Sequence, residues 1–131
     1  MLLARQEFLP GIGAAMPIVA QEVLDELLAF RKEREWEQFH TVKNLTSALS
    51  VEVSELLECF QWARDSELPD IVVRDREAIA DEVADIAILF CYLCHDLNID
   101  IDGAVRSKMV KNRHKYPVAL ARGTAKKYDR L

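Results

Sequence analysis

Apolar residues recur along this chain at helical spacing. Val19, Val23, Leu24, Leu27 and Phe30 share one stripe, and Arg31 falls on it as well. The pattern predicts a first helix over residues 18–36, with Glu22, Asp25 and Glu26 favouring its positive end. Leu45, Leu49, Val53, Leu56, Leu57 and Phe60 fall within about 120° of a second wheel, taking ~100° per residue. That helix is expected to end near residues 61–64. Ile79, Val83, Ile86, Leu89, Phe90, Leu93 and Leu97 make a third stripe, on a helix expected from Val72 to Asp96 with Asn98 as its stop. A fourth helix runs roughly from Ile101 to His114, with Ala104, Val105, Met109 and Val110 inward, and closes at Tyr116-Pro117. Residues 36–45 break the period and read as a loop in which Thr41 caps the second helix. Residues 65–70, with Pro69, read as a linker. The fold class is therefore all-α, a four-helix bundle-like protomer. Ile88 and Tyr92 lie on a flank away from the third stripe. A helix apolar on more than one side is central or lies at a subunit contact, so an oligomer is expected.

Each of the two middle helices carries a pair of acids three residues apart, Glu52 with Glu55 and Glu82 with Asp85. Acids at that spacing share a helix face. Glu52 lies only ~20° outside Leu45 on the wheel, and Glu55 about 60° further round. Glu82 sits inside the third stripe and Asp85 at its edge, whereas Glu58 points away. A carboxylate facing a core is costly unless it is paired or binds a metal. Neither Lys nor Arg occurs between Leu45 and Gln61 or between Ala78 and Leu97. A cation is therefore expected to supply the missing charge. Ligands that are all oxygen favour Mg²⁺ or Mn²⁺ over Zn²⁺. The plain alternative is that these acids are solvated surface, which a single pair would not rule out.

Composition narrows the partners. The 131 residues make one domain, and a net charge of −5 argues against a general nucleic-acid binder. No membrane-spanning run occurs. Residues 1–17 have too little apolar character for a signal peptide and read as a flexible N-terminal extension, with the domain over 18–118 and a polar tail over 119–131. Cys91 and Cys94 have the CxxC spacing of redox and zinc sites, but they lie mid-helix in an apolar run. Together with Cys59 they read as reduced thiols of a cytoplasmic protein.

Two further groups could meet a ligand. Trp36, Phe39 and His40 could stack on a planar group, and Lys43 could meet a phosphate, although each residue singly is ordinary core or loop. The fourth helix carries Lys108, Lys111, Asn112, Arg113 and Lys115, a basic cluster whose usual meaning is a solubilising helix end.

Taken in order, Glu35-Trp36-Glu37-Gln38-Phe39-His40-Thr41-Val42-Lys43-Asn44-Leu45, Glu52-x-x-Glu55, Phe60-Gln61-Trp62, Glu82-x-x-Asp85 and Lys108-Met109-x-x-Asn112-Arg113-x-x-Tyr116-Pro117 resemble the MazG-like nucleotide pyrophosphohydrolases of the all-α NTP pyrophosphatase superfamily. The small dCTP pyrophosphatase-like branch is the closer match, over roughly residues 19–118. The resemblance implies a dimer, or a tetramer built as a dimer of dimers. It also implies Mg²⁺-dependent cleavage of a nucleoside triphosphate to the monophosphate and pyrophosphate. Glu52, Glu55, Glu82 and Asp85 would bind metal, with Glu52 or Glu55 acting as base. Trp36, His40 and Trp62 would enclose the nucleoside. Lys43, Asn44, Lys108, Asn112, Arg113 and Tyr116 would contact phosphates or sugar, those of the fourth helix across a subunit boundary. Three departures stand out. Val42 replaces a Pro common after His-Thr. Leu89 replaces a Tyr that relatives often hold near the sugar. Val51 and Ser54 replace glycines.

Other readings remain open at this point. A di-iron bundle would need Glu-x-x-His on two helices, and only Glu37-x-x-His40 fits. A non-catalytic helical interaction module would leave the inward acids unexplained. A broader pyrophosphatase for non-standard nucleotides would share every motif above.

Overall fold

The computed structural model describes residues 18–131, so the expected extension over residues 1–17 lies outside the described residues. These residues are helical, with no strand among them, and they form two compact units, 18–99 and 100–131.

The first unit holds α1 (Gln21–Glu33), α2 (Val42–Glu58), α3 (Leu68–Arg74) and α4 (Arg76–Asp96). Single 3₁₀ turns at Trp36–Gln38 and Asp65–Glu67 join them. Thr41 caps α2 as its side chain predicts: Oγ1 accepts from the Asn44 N–H at 3.1 Å. The cap satisfies one of the four first-turn donors that a helix leaves unpaired. Val42 is the first helical residue, a position whose N–H needs no partner, so valine or proline serves equally there. Thr41→Ala is expected to lower stability by about 1 kcal/mol in urea unfolding.

α4 stops where Asn98 takes a left-handed conformation, φ 51°. The Ile99 N–H bonds the Cys94 carbonyl at 2.9 Å and the Asn98 N–H bonds that of His95 at 3.1 Å, so the last carbonyls are used.

Three expectations need correction. The stretch 65–70 is not a linker. Pro69 stands in the first turn of α3, where its missing N–H costs nothing. The expected helix over 72–96 is broken at Asp75 into α3 and α4. Asp75 ends α3 through its N–H to the Ile71 carbonyl and opens α4 by accepting from the Ile79 N–H. Tyr92 does not lie on a flank left for a second subunit. It is 3% exposed, and its hydroxyl donates to the Leu27 carbonyl of α1 at 2.7 Å.

α2 packs along α4, and the pairing runs antiparallel. His40, just before α2, meets Tyr92 late in α4, while Glu55 further along α2 meets Glu82 early in α4. Leu45, Cys91 and Tyr92 are the most buried apolar residues between the elements. Val53, Leu57 and Val83 belong to the predicted stripes but stay about half exposed in the single chain. Burial raises both the Cys91 and Cys94 thiols, which fits inert core cysteines better than a redox pair.

The second unit holds α5 (Ile101–Lys115), α6 (Val118–Ala121) and a 3₁₀ turn at Tyr128–Arg130. A Cβ on Gly103 would lie 2.6 Å from Asp100 Oδ2, so a larger residue there would turn the exposed Asp100 side chain aside. Tyr116 packs edge-on against Tyr128 at 6.1 Å, with Lys115 over the Tyr128 ring.

Candidate active site

The antiparallel pairing of α2 and α4 sets their acids against one another. One carboxylate oxygen each from Glu52, Glu82 and Asp85 lies within 4.8 Å of the others. Glu55 stands close enough to act on both Glu52 and Glu82 by its charge, which brings the four into one group. Glu52 and Glu82 are half-buried, and Glu55 and Asp85 are exposed, as their places on the wheels predict. Among the described residues, none of the four takes part in an ion pair.

Glu52 and Glu82 are both held above their ordinary carboxylate values. Burial is the largest cause for each. For Glu52 the neighbouring Glu55 carboxylate comes next, and for Glu82 the charges of Glu55, Asp85 and Asp81. Glu82 Oε2 is sealed from solvent with no hydrogen-bond partner among the described residues. A sealed, unpaired carboxylate oxygen beside three more carboxylates is the donor set of a hard divalent cation. The residues present therefore fit a metal.

A second cluster lies at the N-terminal end of α2. The His40 ring meets Trp36 at 6.0 Å and Tyr92 at 5.4 Å, and Trp36 meets Phe30 edge-on at 5.8 Å. Arg31 lies over the Tyr92 ring at 4.7 Å and makes a two-pronged ion pair with Asp96, both contacts 2.8 Å. Burial first, then the Arg31 charge, depress the His40 imidazole below its usual range, and Asp96 partly opposes them. The unfolded chain therefore takes up a proton that the folded chain resists. Stability falls as pH drops below about 6.5, the value for a free histidine. The melting temperature is expected to drop between pH 7.5 and 5.5, and to drop less in His40→Phe. Equal drops would mean that His40 is not the group responsible.

The remaining predicted residues are spread out. Lys43 is exposed on the first turn of α2. Asn44 braces that turn, its Nδ2 donating to the Phe39 carbonyl at 2.9 Å. Trp62 is 88% exposed and lies past the far end of α2. It lines an open groove of about 440 Å³ with Cys59, Ile71 and Arg74. Lys108, Asn112 and Arg113 lie on α5, and Tyr116 stands at its end. Thus the four acids converge, Trp36 joins His40, and Trp62 stands apart from both. The Arg31–Asp96 pair is one that sequence reasoning misses. The signal is a charged residue on an apolar stripe, but no spacing rule points to a partner 65 residues away.

Two antiparallel helices with facing acid pairs, and an aromatic turn leading into the first of them, define an all-helical class of protein with an acid cluster between its central helices. The chain belongs to the MazG-like family, which matches residues 47–131. It is similar to dCTP pyrophosphatase 1 of Rattus norvegicus, 44% identical over 104 residues, covering 78% of this chain and 61% of the relative. It is also similar to the Homo sapiens protein of that name, 43% identical over 125 residues, covering 93% and 74%. The chain thus spans about three fifths of the rat relative's length. A pyrophosphatase structure from Archaeoglobus fulgidus shares the fold at a TM-score of 0.72 and 43% identity, covering 74% of this chain and 91% of the other. No helix among the described residues is long and apolar enough to cross a membrane.

Proposed function

We propose that this chain hydrolyses a nucleoside triphosphate to the monophosphate and pyrophosphate, with Mg²⁺, and with dCTP or a modified dCTP as first candidate substrate. The observation that carries this reading is the four-carboxylate group on α2 and α4, with the sealed Glu82 oxygen that nothing among the described residues satisfies. The names of the rat and human relatives supply the substrate class.

Glu52, Glu82 and Asp85 would hold the cation, which when bound neutralises phosphate charge and activates water. Glu55 lies outside the three-oxygen cluster, yet its charge acts on two of its members. It is therefore the carboxylate left to orient an attacking water and take its proton. Trp36 and His40 are assigned to the nucleoside, with Lys43 and Asn44 nearby. Lys108, Asn112, Arg113 and Tyr116 are assigned to phosphates or sugar on the resemblance alone.

The helix also supports a homo-oligomer. Trp36 precedes α2 and Trp62 comes after it, and its 17 residues span about 25 Å. A nucleoside held by both tryptophans would therefore take one of them from a second copy. The half-exposed Val53, Leu57 and Val83 on the acid-bearing helices offer the apolar surface for such a contact.

The test is pyrophosphate release from a panel of ribo- and deoxynucleoside triphosphates, with and without Mg²⁺. Release from dCTP or a 5-substituted dCTP ahead of the others, dependent on Mg²⁺, supports the reading. No cleavage of any triphosphate with Mg²⁺ or Mn²⁺ would overturn it.

A further inference from the structure

Arg31 is the one charged side chain among the described residues that is buried, at 5% exposure. Its place is fixed on several sides. Nη1 and Nη2 each donate to a separate oxygen of Asp96 at 2.8 Å, and the guanidinium lies 4.7 Å from the centre of the Tyr92 ring. Tyr92 is fixed in turn by its hydroxyl on the Leu27 carbonyl. An ion pair with one buried partner adds little stability over a well-packed apolar pair of the same volume, so its value lies in fixing an arrangement. What rests on that arrangement is His40, whose ring meets the other ring in this brace at 5.4 Å.

His40 shows a matching asymmetry. Its Nδ1 is sealed and has no hydrogen-bond partner among the described residues, while the residue as a whole keeps part of its surface in solvent. The Nδ1 edge of the imidazole is closed within the fold. We propose that Arg31, locked by Asp96, is a positioning residue for nucleoside recognition: it fixes the Tyr92 ring against His40 and so holds the imidazole in the orientation that meets the base. The inference rests on the reading of His40 as a nucleoside contact given above. The charged and titratable groups facing His40 are Arg31 from α1 with Tyr92 and Asp96 from α4, and Glu37 acts on Arg31. The Arg31 charge also disfavours an imidazolium there, leaving a neutral ring that can donate to a base carbonyl or accept from a base amine.

The full-length protein tests this by a double-mutant cycle on the best substrate of the nucleotide panel, with Arg31→Met, His40→Ala and the pair. Arg31→Met is expected to raise KM about tenfold with kcat within about twofold, the pattern of lost binding. In the His40→Ala background the same change is expected to add less than about twofold, because the two act as one unit. The His40 ring signals in ¹H–¹⁵N spectra, distinguished from those of His95 and His114 by substitution, should shift in Arg31→Met and titrate at higher pH. If Arg31→Met does not fold, Asp96→Asn, which keeps one prong of the fork, carries the same cycle. Additive effects, or His40 signals that stay put, overturn the proposal. If His40→Ala leaves KM unchanged, the nucleoside role of His40 fails and the proposal with it. A shift of the His40 signals in Arg31→Met would then show that the contact itself is sound.

Discussion

Glu82→Gln lowers the rate of pyrophosphate release by about three orders of magnitude or more, if the loss of one charged metal ligand acts here as it does at metal-assisted phosphoryl sites. The substitution keeps size and shape, so the effect reports charge and donor strength. Glu82 is the most telling of the four acids because its Oε2 is sealed and unpaired. The neighbours that raise its carboxyl are themselves acids, so none of them can supply the positive charge it lacks. An amide there offers one weaker oxygen, and its NH₂ group would point donors at a cation. Glu77, exposed on the same helix and outside the cluster, provides the control, and Glu77→Gln should release pyrophosphate at the wild-type rate. A Glu82→Gln protein that keeps its helical circular dichroism and works within threefold of wild type would remove this carboxylate from the mechanism.

The acid cluster is legible in the sequence because it obeys short-range rules. Glu52, Glu55, Glu82 and Asp85 need only helical spacing and the apolar stripes beside them to be placed on facing surfaces. Thr41 and Asn98 are legible for the same reason, since a cap is a matter of three or four residues. The failures come where distance or context decides. Pro69 reads as a breaker because proline ends helices, yet in a first turn it starts one, and which applies depends on what Asp65–Glu67 do before it. The pairing of Arg31 with Asp96 depends on α1 and α4 meeting, which no local pattern reports. A wheel also marks Val53, Leu57 and Val83 as inward without saying which neighbour covers them. In the single chain α2 and α4 leave all three about half exposed. The same blindness hides base preference. Leu89 is half-buried on α4, one turn past Asp85, and whether it faces a sugar depends on pocket walls that motifs do not encode.

Mg²⁺ is expected to stabilise the folded protein strongly, and Glu52→Gln to remove much of that effect while making the metal-free protein harder to melt. Both outcomes come from one arrangement. Without a cation, burial and the neighbouring carboxylates hold Glu52 and Glu82 above their unfolded values. The folded chain then binds protons that the unfolded chain releases. Stability contributed by the protonated forms is therefore present at low pH and is lost as pH rises through those raised values. At pH 7.5 the cluster is a set of like charges held together by packing elsewhere, and removing one of them relieves it. In metal-free buffer the melting temperature of Glu52→Gln should exceed that of wild type at pH 7.5, and the gap should narrow towards pH 4.5. Adding Mg²⁺ should reverse the order. A ligand bound only by the folded state at a hundred times its Kd adds about 2.7 kcal/mol, and a site lacking one charged donor gains less at the same concentration. Thermal melts of both proteins, at two pH values with EDTA or Mg²⁺, read all of this directly. Equal responses to Mg²⁺ would mean that the cation does not use Glu52. A lower metal-free melting temperature for the variant would mean that Glu52 serves the fold by contacts that outweigh its repulsion. The carboxylates would then be a structural feature that tolerates a metal, and not a site kept at the expense of stability.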